Sequence, residues 1–301
     1  MDQWFPMSEQ DLPSAPVDGD VETDQDEKNE KKSSRALALW AYLAPLITFV
    51  LIIGVWYFIS YVRMDAVRRR TALPAPHTVF EDGLLVWEDR RGLKPILEAL
   101  LVTSRVALIG LGISIAIGVL LAIVMNTAKW AERSIFPYAV IIQVTPILAL
   151  VPLIRNWYGF GIPARVVVCV LIAIFPVITN TLFGLQSAKE GHHDLFTLHH
   201  ASRLTRLWRL EMPGAMPAFL TGLRIAAGGS VIGAVVGDFF FRQGQIGLGR
   251  LIDNYQKDTR IPELFTATIV ACLFGIIIFL LVGWISSRTL RHWHESARHY
   301  S

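Results

Sequence analysis

Long runs of apolar residues without a charged side chain divide this sequence. Five such runs contain 27, 23, 21, 23 and 24 residues, and they cover 36–62, 106–128, 134–154, 166–188 and 264–287. An α-helix rises about 1.5 Å per residue, so roughly 20 apolar residues cross a hydrocarbon core of about 30 Å. Each run therefore predicts one transmembrane helix.

A sixth span is predicted over residues 217–241, although this segment contains Arg224 and Asp238. The 13 residues between the two charges are uncharged. Fourteen positions on a helix place these charges about 21 Å apart, so both could lie near the membrane interfaces. The pattern thus predicts an all-α, polytopic membrane helix bundle with six transmembrane helices.

The termini differ from the rest of the chain in composition. Hydrophobic residues make up 53% of the sequence, but residues 1–35 hold ten of the 25 acidic residues and only four Lys or Arg. This composition predicts a disordered acidic tail over 1–35, a transmembrane domain over 36–290 and a short tail over 291–301. The basic residues of the domain are spread over several loops, which argues against nucleic acid as a partner.

A polar, basic segment, residues 189–217, lies between two of the predicted spans. Its apolar positions recur about every three residues, and a neighbouring stripe is basic: Arg203, Arg206 and Arg209. The pattern predicts an amphipathic helix, or two short helices broken near Ala201 and Ser202. Pro213 and Pro217 are expected to end it. A helix on the membrane surface, with arginines at the lipid phosphates, explains the pattern equally well.

The stretch ASRLTRLWRLEMPGAMP, residues 201–217, resembles the cytoplasmic loop of permease subunits in binding-protein-dependent ABC importers. The loop consensus opens with Glu-Ala-Ala, continues with Gly and Ala-Ser, and ends in Leu-Pro. We fix the register by placing the consensus Pro on Pro213. The opening acid then falls on Asp194 and the Gly on His200. The Ala-Ser pair falls on Ala201 and Ser202, and the Leu on Met212. The chain departs from the consensus where Leu195 and Phe196 replace the two alanines and His200 replaces the glycine.

Five more stretches resemble the nitrate, sulfonate and taurine type of this family, which also includes permeases for riboflavin and for a pyrimidine precursor of thiamine. In chain order they are LPAP at 73–76, TSRVALIGLGISIAIGVLLAIVM at 103–125, TPILALVPLI at 145–154, TGLRIAAGGSVIGAVVGDFF at 221–240 and IGLG at 246–249. Together with the loop they extend the resemblance over most of the predicted transmembrane domain.

The resemblance implies a permease subunit of an ATP-driven importer in a bacterial inner membrane, with both termini cytoplasmic. The Lys and Arg counts on the two sides, 13 and 14, leave this orientation open from charge alone. Two permease subunits, expected to be identical, would form the translocation path and dock two ATP-binding cassette ATPase subunits. An extracytoplasmic binding protein would deliver the solute, either a sulfonate or nitrate-like anion or a heterocycle such as riboflavin or a thiamine pyrimidine precursor.

The resemblance also implies which residues couple the chain to the ATPase: Asp194, His200, Ala201, Ser202, Leu207 and Pro213. The sequence contains no G-x-x-x-x-G-K-[ST] phosphate loop. We therefore expect no enzymatic activity and no cofactor in this chain, with ATP and Mg bound by the partner subunit.

Four polar side chains inside the predicted spans are candidates for the translocation path: Gln143, Asn180, Arg224 and Asp238. An ionised group at mid-bilayer costs about 2.5–3.5 kcal/mol on insertion scales, so such groups tend to face protein or water. The alternative is that Arg224 and Asp238 reach the interfaces and that the two amides form hydrogen bonds between helices.

Two other classes of function remain open from the residues alone. An ion-coupled secondary transporter needs carboxylates inside its spans, and Asp238 is the candidate. A membrane metalloenzyme needs a ligand cluster, for which His192, His193, His199 and His200 have a suitable spacing. Only the loose set of residues at 292–299 could complement them, so a solvated helix surface is the preferred explanation and no metal is expected.

Overall fold

The computed structural model describes residue 40 and residues 43–89 and 91–290. The tails predicted at 1–35 and 291–301 lie outside these residues. Helices form most of the described chain, and no β-sheet occurs in that part of it. The predicted all-α membrane fold is therefore confirmed. The chain divides into two compact units at Arg63 and Met64.

The first unit contains one described helix, α1 (Leu43–Arg63), which is 21 residues long and apolar enough to cross a membrane. Its last five residues, Ile59–Arg63, form a π-helical turn. The helix matches the first predicted span.

The second unit contains the remaining helices. Those long and apolar enough to span a membrane are α4 (Leu93–Thr127), α7 (Ile162–Leu185), α10 (Met212–Phe240) and α12 (Ile261–Leu290). The shorter helices are α2 (Ala66–Thr71), α3 (Pro76–Val79), α5 (Lys129–Val144), α6 (Ile147–Tyr158), α8 (Glu190–Leu198), α9 (Arg203–Arg206) and α11 (Leu248–Lys257). Two π-helical turns, Phe80–Leu85 and Leu207–Glu211, complete the list.

The third predicted span, 134–154, is not one straight helix. It falls on α5 and α6, whose axes differ by 102° across Thr145 and Pro146. Proline lacks a backbone N–H, and the residue before it avoids the helical region, so the pair interrupts the helix. Thr145 accordingly has an extended conformation, with φ −70° and ψ 124°. The described chain has five spans, or six if this bent pair counts as one.

Helix α7 packs between α4 and α10 through small residues. Cys169 on α7 is completely buried, with Gly110 of α4 on one side and Gly233 of α10 on the other. A Cβ atom added at Gly233 would lie 2.7 Å from Cα of Cys169, and one added at Gly184 would lie 2.8 Å from Cα of Ala215. Such close approach needs glycine on at least one of the two facing helices.

Side-chain bonds between helices define the two ends of this bundle. At one end, which we call the Arg165 end, Thr103 of α4, Arg165 of α7 and Asp238 of α10 are joined by hydrogen bonds. At the opposite end, the Glu211 end, Asn126 of α4 bonds Glu211 just before α10. Because α7 and α10 run in opposite directions, α11 lies at the Arg165 end, whereas α8 and α9 lie at the Glu211 end.

Candidate functional site

The stretch predicted to couple the chain to an ATPase is called the coupling segment and is defined as residues 190–211. It consists of two short helices and the π-helical turn Leu207–Glu211. Helices α8 and α9 are separated by His199, His200, Ala201 and Ser202. The two-helix form of the prediction, with a break near Ala201 and Ser202, is therefore the one that the structure adopts. Ser202 starts the second helix, because its Oγ accepts a hydrogen bond from the Thr205 backbone N–H at 3.2 Å.

His200 lies in the turn between α8 and α9 with a positive φ of 49°. This left-handed region is easily reached by glycine and is uncommon for other residues. The importer loop consensus has glycine at the position that falls on His200. The conformation thus agrees with the register fixed at Pro213, although a different residue occupies the position.

The coupling segment presents apolar side chains to its surroundings. Leu198 is 76% exposed and Trp208 is 61% exposed, and Leu195 and Leu204 are also exposed. Leu207 instead turns inward and, with Met212, packs against a buried cluster that includes Leu185 and Ala215. One side of the segment is therefore anchored in the bundle, and the other is an uncovered apolar surface.

Two polar contacts stabilise the segment internally, and one holds it to the bundle. Nη2 of Arg206 donates to Oγ1 of Thr197 at 2.9 Å, which joins α9 to α8. Nδ2 of Asn126 donates to Oε2 of Glu211 at 2.6 Å, which joins the end of the segment to α4. Ser202 and Thr205 share a hydroxyl–hydroxyl bond of 2.8 Å. The segment is thus connected to α4 by a hydrogen bond and to α10 by the chain itself.

Pro213 and Pro217 do not end the helix, so that prediction is wrong. The π-helical turn Leu207–Glu211 leads directly into α10, and Arg203–Phe240 forms one helical stretch of 38 residues. Pro213 is the second residue of α10, two positions after the end of this π-helical turn. The N–H of Met212 bonds the carbonyl of Leu207, five residues earlier, so the widened turn carries the helix past the proline.

A buried polar cluster occupies the Arg165 end. Arg165 and Asp238 are both 0% exposed, and Nη1 of Arg165 lies 2.9 Å from Oδ1 of Asp238. Oγ1 of Thr103 donates to Oδ2 of Asp238 at 2.7 Å and accepts from the N–H of Leu248 at 2.8 Å. The hydroxyl therefore connects the carboxylate to the first turn of α11.

Arg165 also holds the loop that follows α10. Its Nε donates to the Phe241 carbonyl at 2.9 Å, its Nη2 to the Gln243 carbonyl at 2.9 Å, and its Nη1 to the Gln245 carbonyl at 3.0 Å. Gly247 approaches the Asp238 carboxylate so closely that a Cβ atom there would overlap it. A buried ion pair needs this kind of complete hydrogen bonding to offset the desolvation of its charges.

Arg165 is the residue that sequence reasoning missed, because it appeared only as a charge bordering an apolar run. The signal that could have found it is Asp238, since an acid inside an apolar span requires a partner. Asp238 itself does not reach a membrane interface as a free group. Both of its oxygens are occupied within the bundle.

The other polar candidates within the spans lie in separate places. Gln143 is exposed, two residues before the bend at Thr145. Nδ2 of Asn180 donates to the Pro176 carbonyl in its own helix at 2.9 Å. The guanidinium of Arg224 lies over the Phe279 ring. Among the residues that the structure describes, no hydrogen bond or ion pair joins any of these three to another or to Asp238.

Helix α11 carries an exposed ion-pair cluster at the Arg165 end. Oδ2 of Asp253 lies 2.6 Å from Nη2 of Arg242 and 2.7 Å from Nζ of Lys257. The hydrogen bond from Lys257, together with the positive charge of Arg242, holds the pKa of the Asp253 carboxyl below its ordinary value. The cluster therefore ties α11 to the loop after α10 at neutral pH.

No group of three or more His, Cys, Asp or Glu residues that could hold a metal ion occurs within 43–89 and 91–290. The histidines of the coupling segment lie on α8 and in the turn after it. The other histidine-containing set, 292–299, lies outside the described residues.

Comparison with known proteins identifies the family. Residues 114–291 match the family described as "Binding-protein-dependent transport system inner membrane component". The chain belongs to this family. It is therefore a multi-pass membrane component of an ABC transport system, and the ATP-hydrolysing step lies in another subunit, since members of this family are not enzymes.

Two relatives and one solved structure illustrate the similarity. The formylaminopyrimidine transport permease protein of Halalkalibacterium halodurans is 35% identical over 180 residues, 60% of this chain and 71% of the relative. The nitrate import permease protein of Leptolyngbya laminosa is 28% identical over 210 residues, 69% of this chain and 70% of the relative. A chain in a crystal structure of an amino acid ABC transporter with histidines shares the fold, with a TM-score of 0.51, 18% identity and coverage of 66% and 94% of the two chains.

Proposed function

We propose that this chain is one of two identical permease subunits of an ATP-driven importer, and that its coupling segment docks the ATPase. The observation that carries this proposal is the continuous helix from Arg203 to Phe240. A force applied to α9 acts on a transmembrane helix without passing through a flexible linker. The exposed apolar side chains of the segment supply a surface on which the partner can apply that force.

The same contacts support a second route for the motion. Glu211 is bonded to Asn126 at the end of α4, so a displacement of the segment also reaches α4. Coupling between an ATPase and a transport path requires contacts that differ between two global states. The residues proposed for this role are those that match the loop consensus: Asp194, His200, Ala201, Ser202, Leu207 and Pro213.

The orientation follows from this role. The Glu211 end is cytoplasmic, and the Arg165 end faces the extracytoplasmic binding protein. Helix α12 starts near α11, is 30 residues long and ends at the Glu211 end. Six spans then place both chain termini in the cytoplasm of a bacterium, with the protein in the inner membrane.

The translocation path, in this proposal, is lined by polar groups that the described chain does not use for its own bonds. Gln143 and Arg224 meet this condition. Of the other two candidates, Asp238 holds helices in place through its bonds to Thr103 and Arg165, and Asn180 donates to the Pro176 carbonyl within α7. The solute is a small molecule, either an anion such as nitrate or a sulfonate, or a heterocycle. The named relatives, which carry nitrate or formylaminopyrimidine, represent both classes.

Replacement of Ala201 by Asp or Arg tests the docking role. Ala201 lies in the turn between α8 and α9 and is partly exposed. A charged side chain there is expected to abolish co-purification with the ATPase, while membrane insertion stays normal. The matched control is Gln256→Asp, which adds the same charge at an exposed position of α11, at the other end of the bundle.

Two results contradict the proposal. One is that the Ala201→Asp variant retains the ATPase as well as the Gln256→Asp variant does. The other is that the purified chain, alone in liposomes, accumulates solute against a gradient without an ATPase. That second result would identify an ion-coupled secondary transporter.

A further inference from the structure

Arg224 lies well inside the membrane-spanning part of α10. It follows Met212, the first residue of the helix, by 12 positions and precedes Asp238 by 14. At about 1.5 Å per residue, its Cα is about 18 Å from the start of the helix and about 21 Å from Asp238. At this depth a charged group requires water, an opposite charge or an anionic ligand.

The guanidinium of Arg224 is held in a defined place by α12. Its Cζ lies 4.0 Å from the centroid of the Phe279 ring. Gly283 leaves the space beside it, since a Cβ atom there would lie 3.1 Å from the same Cζ. Stacking on an aromatic ring fixes the plane of a guanidinium and leaves its N–H groups free to donate.

The charge of Arg224 has no partner in the described chain. Its Nε is shielded from solvent and makes no hydrogen bond, and no carboxylate among the described residues pairs with it. Arg165 provides the contrast, because it uses four hydrogen bonds, one of them to Asp238. Both arginines lie in membrane-spanning helices, but only Arg165 is neutralised there. Arg224 therefore has binding capacity that the fold leaves unused.

An apolar groove begins one helical turn beyond Arg224. It has a volume of about 860 Å³ and lies between α10 and α12, with Gly228, Phe239, Thr268 and Phe279 among its lining residues. Phe279 both carries the guanidinium and lines the groove. Arg224 does not itself line the groove, but Phe279 connects its guanidinium to the open space between α10 and α12.

We infer that Arg224 binds the transported solute and that this solute carries a negative charge. The inference rests on the proposed function and deepens it by choosing one of its two substrate classes. A planar guanidinium donates two parallel hydrogen bonds to a nitrate, sulfonate or carboxylate group. A neutral heterocycle would leave the charge of Arg224 unpaired at the same depth, which the membrane disfavours.

The test uses the full-length chain in nanodiscs made of phosphatidylcholine, without the ATPase. The thermal unfolding midpoint is measured while nitrate or ethanesulfonate replaces chloride at constant ionic strength, with uracil as the neutral probe. We expect both anions to raise the midpoint of the wild-type chain in a saturable way, and uracil to leave it unchanged. The Arg224→Gln variant is expected to bind the anions about tenfold more weakly or worse, because a hydrogen bond to a charged group is lost.

Two further variants separate the charge from its placement. Gly283→Leu keeps Arg224 but displaces its guanidinium, so anion binding is expected to weaken as well. Arg155→Gln is the matched control, because Arg155 also lies over a phenylalanine ring, that of Phe160 at 4.1 Å, but belongs to α6. Its anion response is expected to equal that of the wild type.

Three outcomes overturn the inference. The first is an equal anion response in the wild type and in Arg224→Gln, and the second is a response to uracil alone. The third is that nanodiscs containing phosphatidylglycerol abolish the wild-type anion response, since a lipid phosphate would then be the ligand of Arg224. Co-purification of the ATPase with Arg224→Gln is measured in parallel. If the ATPase still co-purifies with Arg224→Gln and anion binding does not depend on Arg224, only the inference about the solute is rejected. The proposed docking role then stands.

Discussion

Arg165 and Asp238 are 73 positions apart in the sequence, and both side chains are completely excluded from solvent in a 2.9 Å ion pair. The pair joins the first turn of α7 to the last turn of α10 and, through three carbonyls, fixes the loop leading to α11. Its position at the Arg165 end makes it the anchor for the surface opposite the coupling segment.

Removal of one partner of this pair is expected to destabilise the bundle strongly. Asp238→Ala leaves a buried, unpaired guanidinium, which costs about 3–5 kcal/mol of the free energy of unfolding. Thr103→Val removes one neutral donor from the same carboxylate and is expected to cost about 1–3 kcal/mol. The control is Asp194→Ala, since Asp194 is exposed on α8. Thermal unfolding in detergent gives the midpoints of the three variants. Equal midpoints for Asp238→Ala and Asp194→Ala would contradict the prediction.

Gly233 and Gly228 of α10 are predicted to respond differently to the same change. A Cβ atom at Gly233 meets the backbone of Cys169, whereas one at Gly228 has nothing within 4 Å. Gly233→Ala is therefore expected to cost about 1–3 kcal/mol through overpacking. Gly228→Ala is expected to be neutral or slightly stabilising, because alanine favours the helix. The comparison is made on unfolding midpoints, and similar losses in both variants would count against close packing at Gly233.

His200 is predicted to be replaceable by glycine but not by valine. Its positive φ of 49° suits glycine and disfavours β-branched residues. His200→Gly is expected to retain full co-purification with the ATPase, and His200→Val is expected to reduce it by distorting the turn between α8 and α9. If valine is tolerated as well as glycine, the conformation of this turn does not matter for docking.

The ion pairs of Asp253 are predicted to fail only in acid. Lys257 and Arg242 lower the folded-state pKa of Asp253. The stabilisation of the folded chain by these ion pairs is therefore fully present above the ordinary aspartate pKa of about 4. It is lost as the pH falls through the lowered pKa of the folded state. Asp253→Asn should therefore unfold at a lower temperature than the wild type at pH 7. The difference is expected to shrink as the pH falls below about 4 and to vanish below the lowered pKa of the folded state. A constant difference from pH 7 to pH 3 would show that the carboxylate charge is not responsible.

The spans were predictable because the signal is local. A run without charges, such as 166–188, is visible in the sequence, and α7 covers most of it. The break between α8 and α9 was predictable as one of two options. The bend between α5 and α6 has a local cause in Pro146, but its size depends on packing that no short pattern encodes.

The buried cluster shows where a reading of sequence patterns stops. Asp238 was recognised as unusual, but its partners Thr103 and Arg165 come from two other helices and lie 135 and 73 residues away. No spacing rule connects positions so distant. Pro213 failed as a stop signal for a different reason, because a single π-helical turn removes the steric conflict that proline normally creates.

The two cysteines of the chain differ in how reagents can reach them. Cys169 is enclosed between Gly110 and Gly233, whereas Cys272 is exposed on α12 and lines the groove. Of the two thiols, Cys272 is therefore the one that a lipid-soluble reagent can reach, because it lies within the membrane-spanning helix α12. A maleimide-linked nitroxide at Cys272 would report, by paramagnetic distance measurements between two copies, how far their α12 helices separate during turnover.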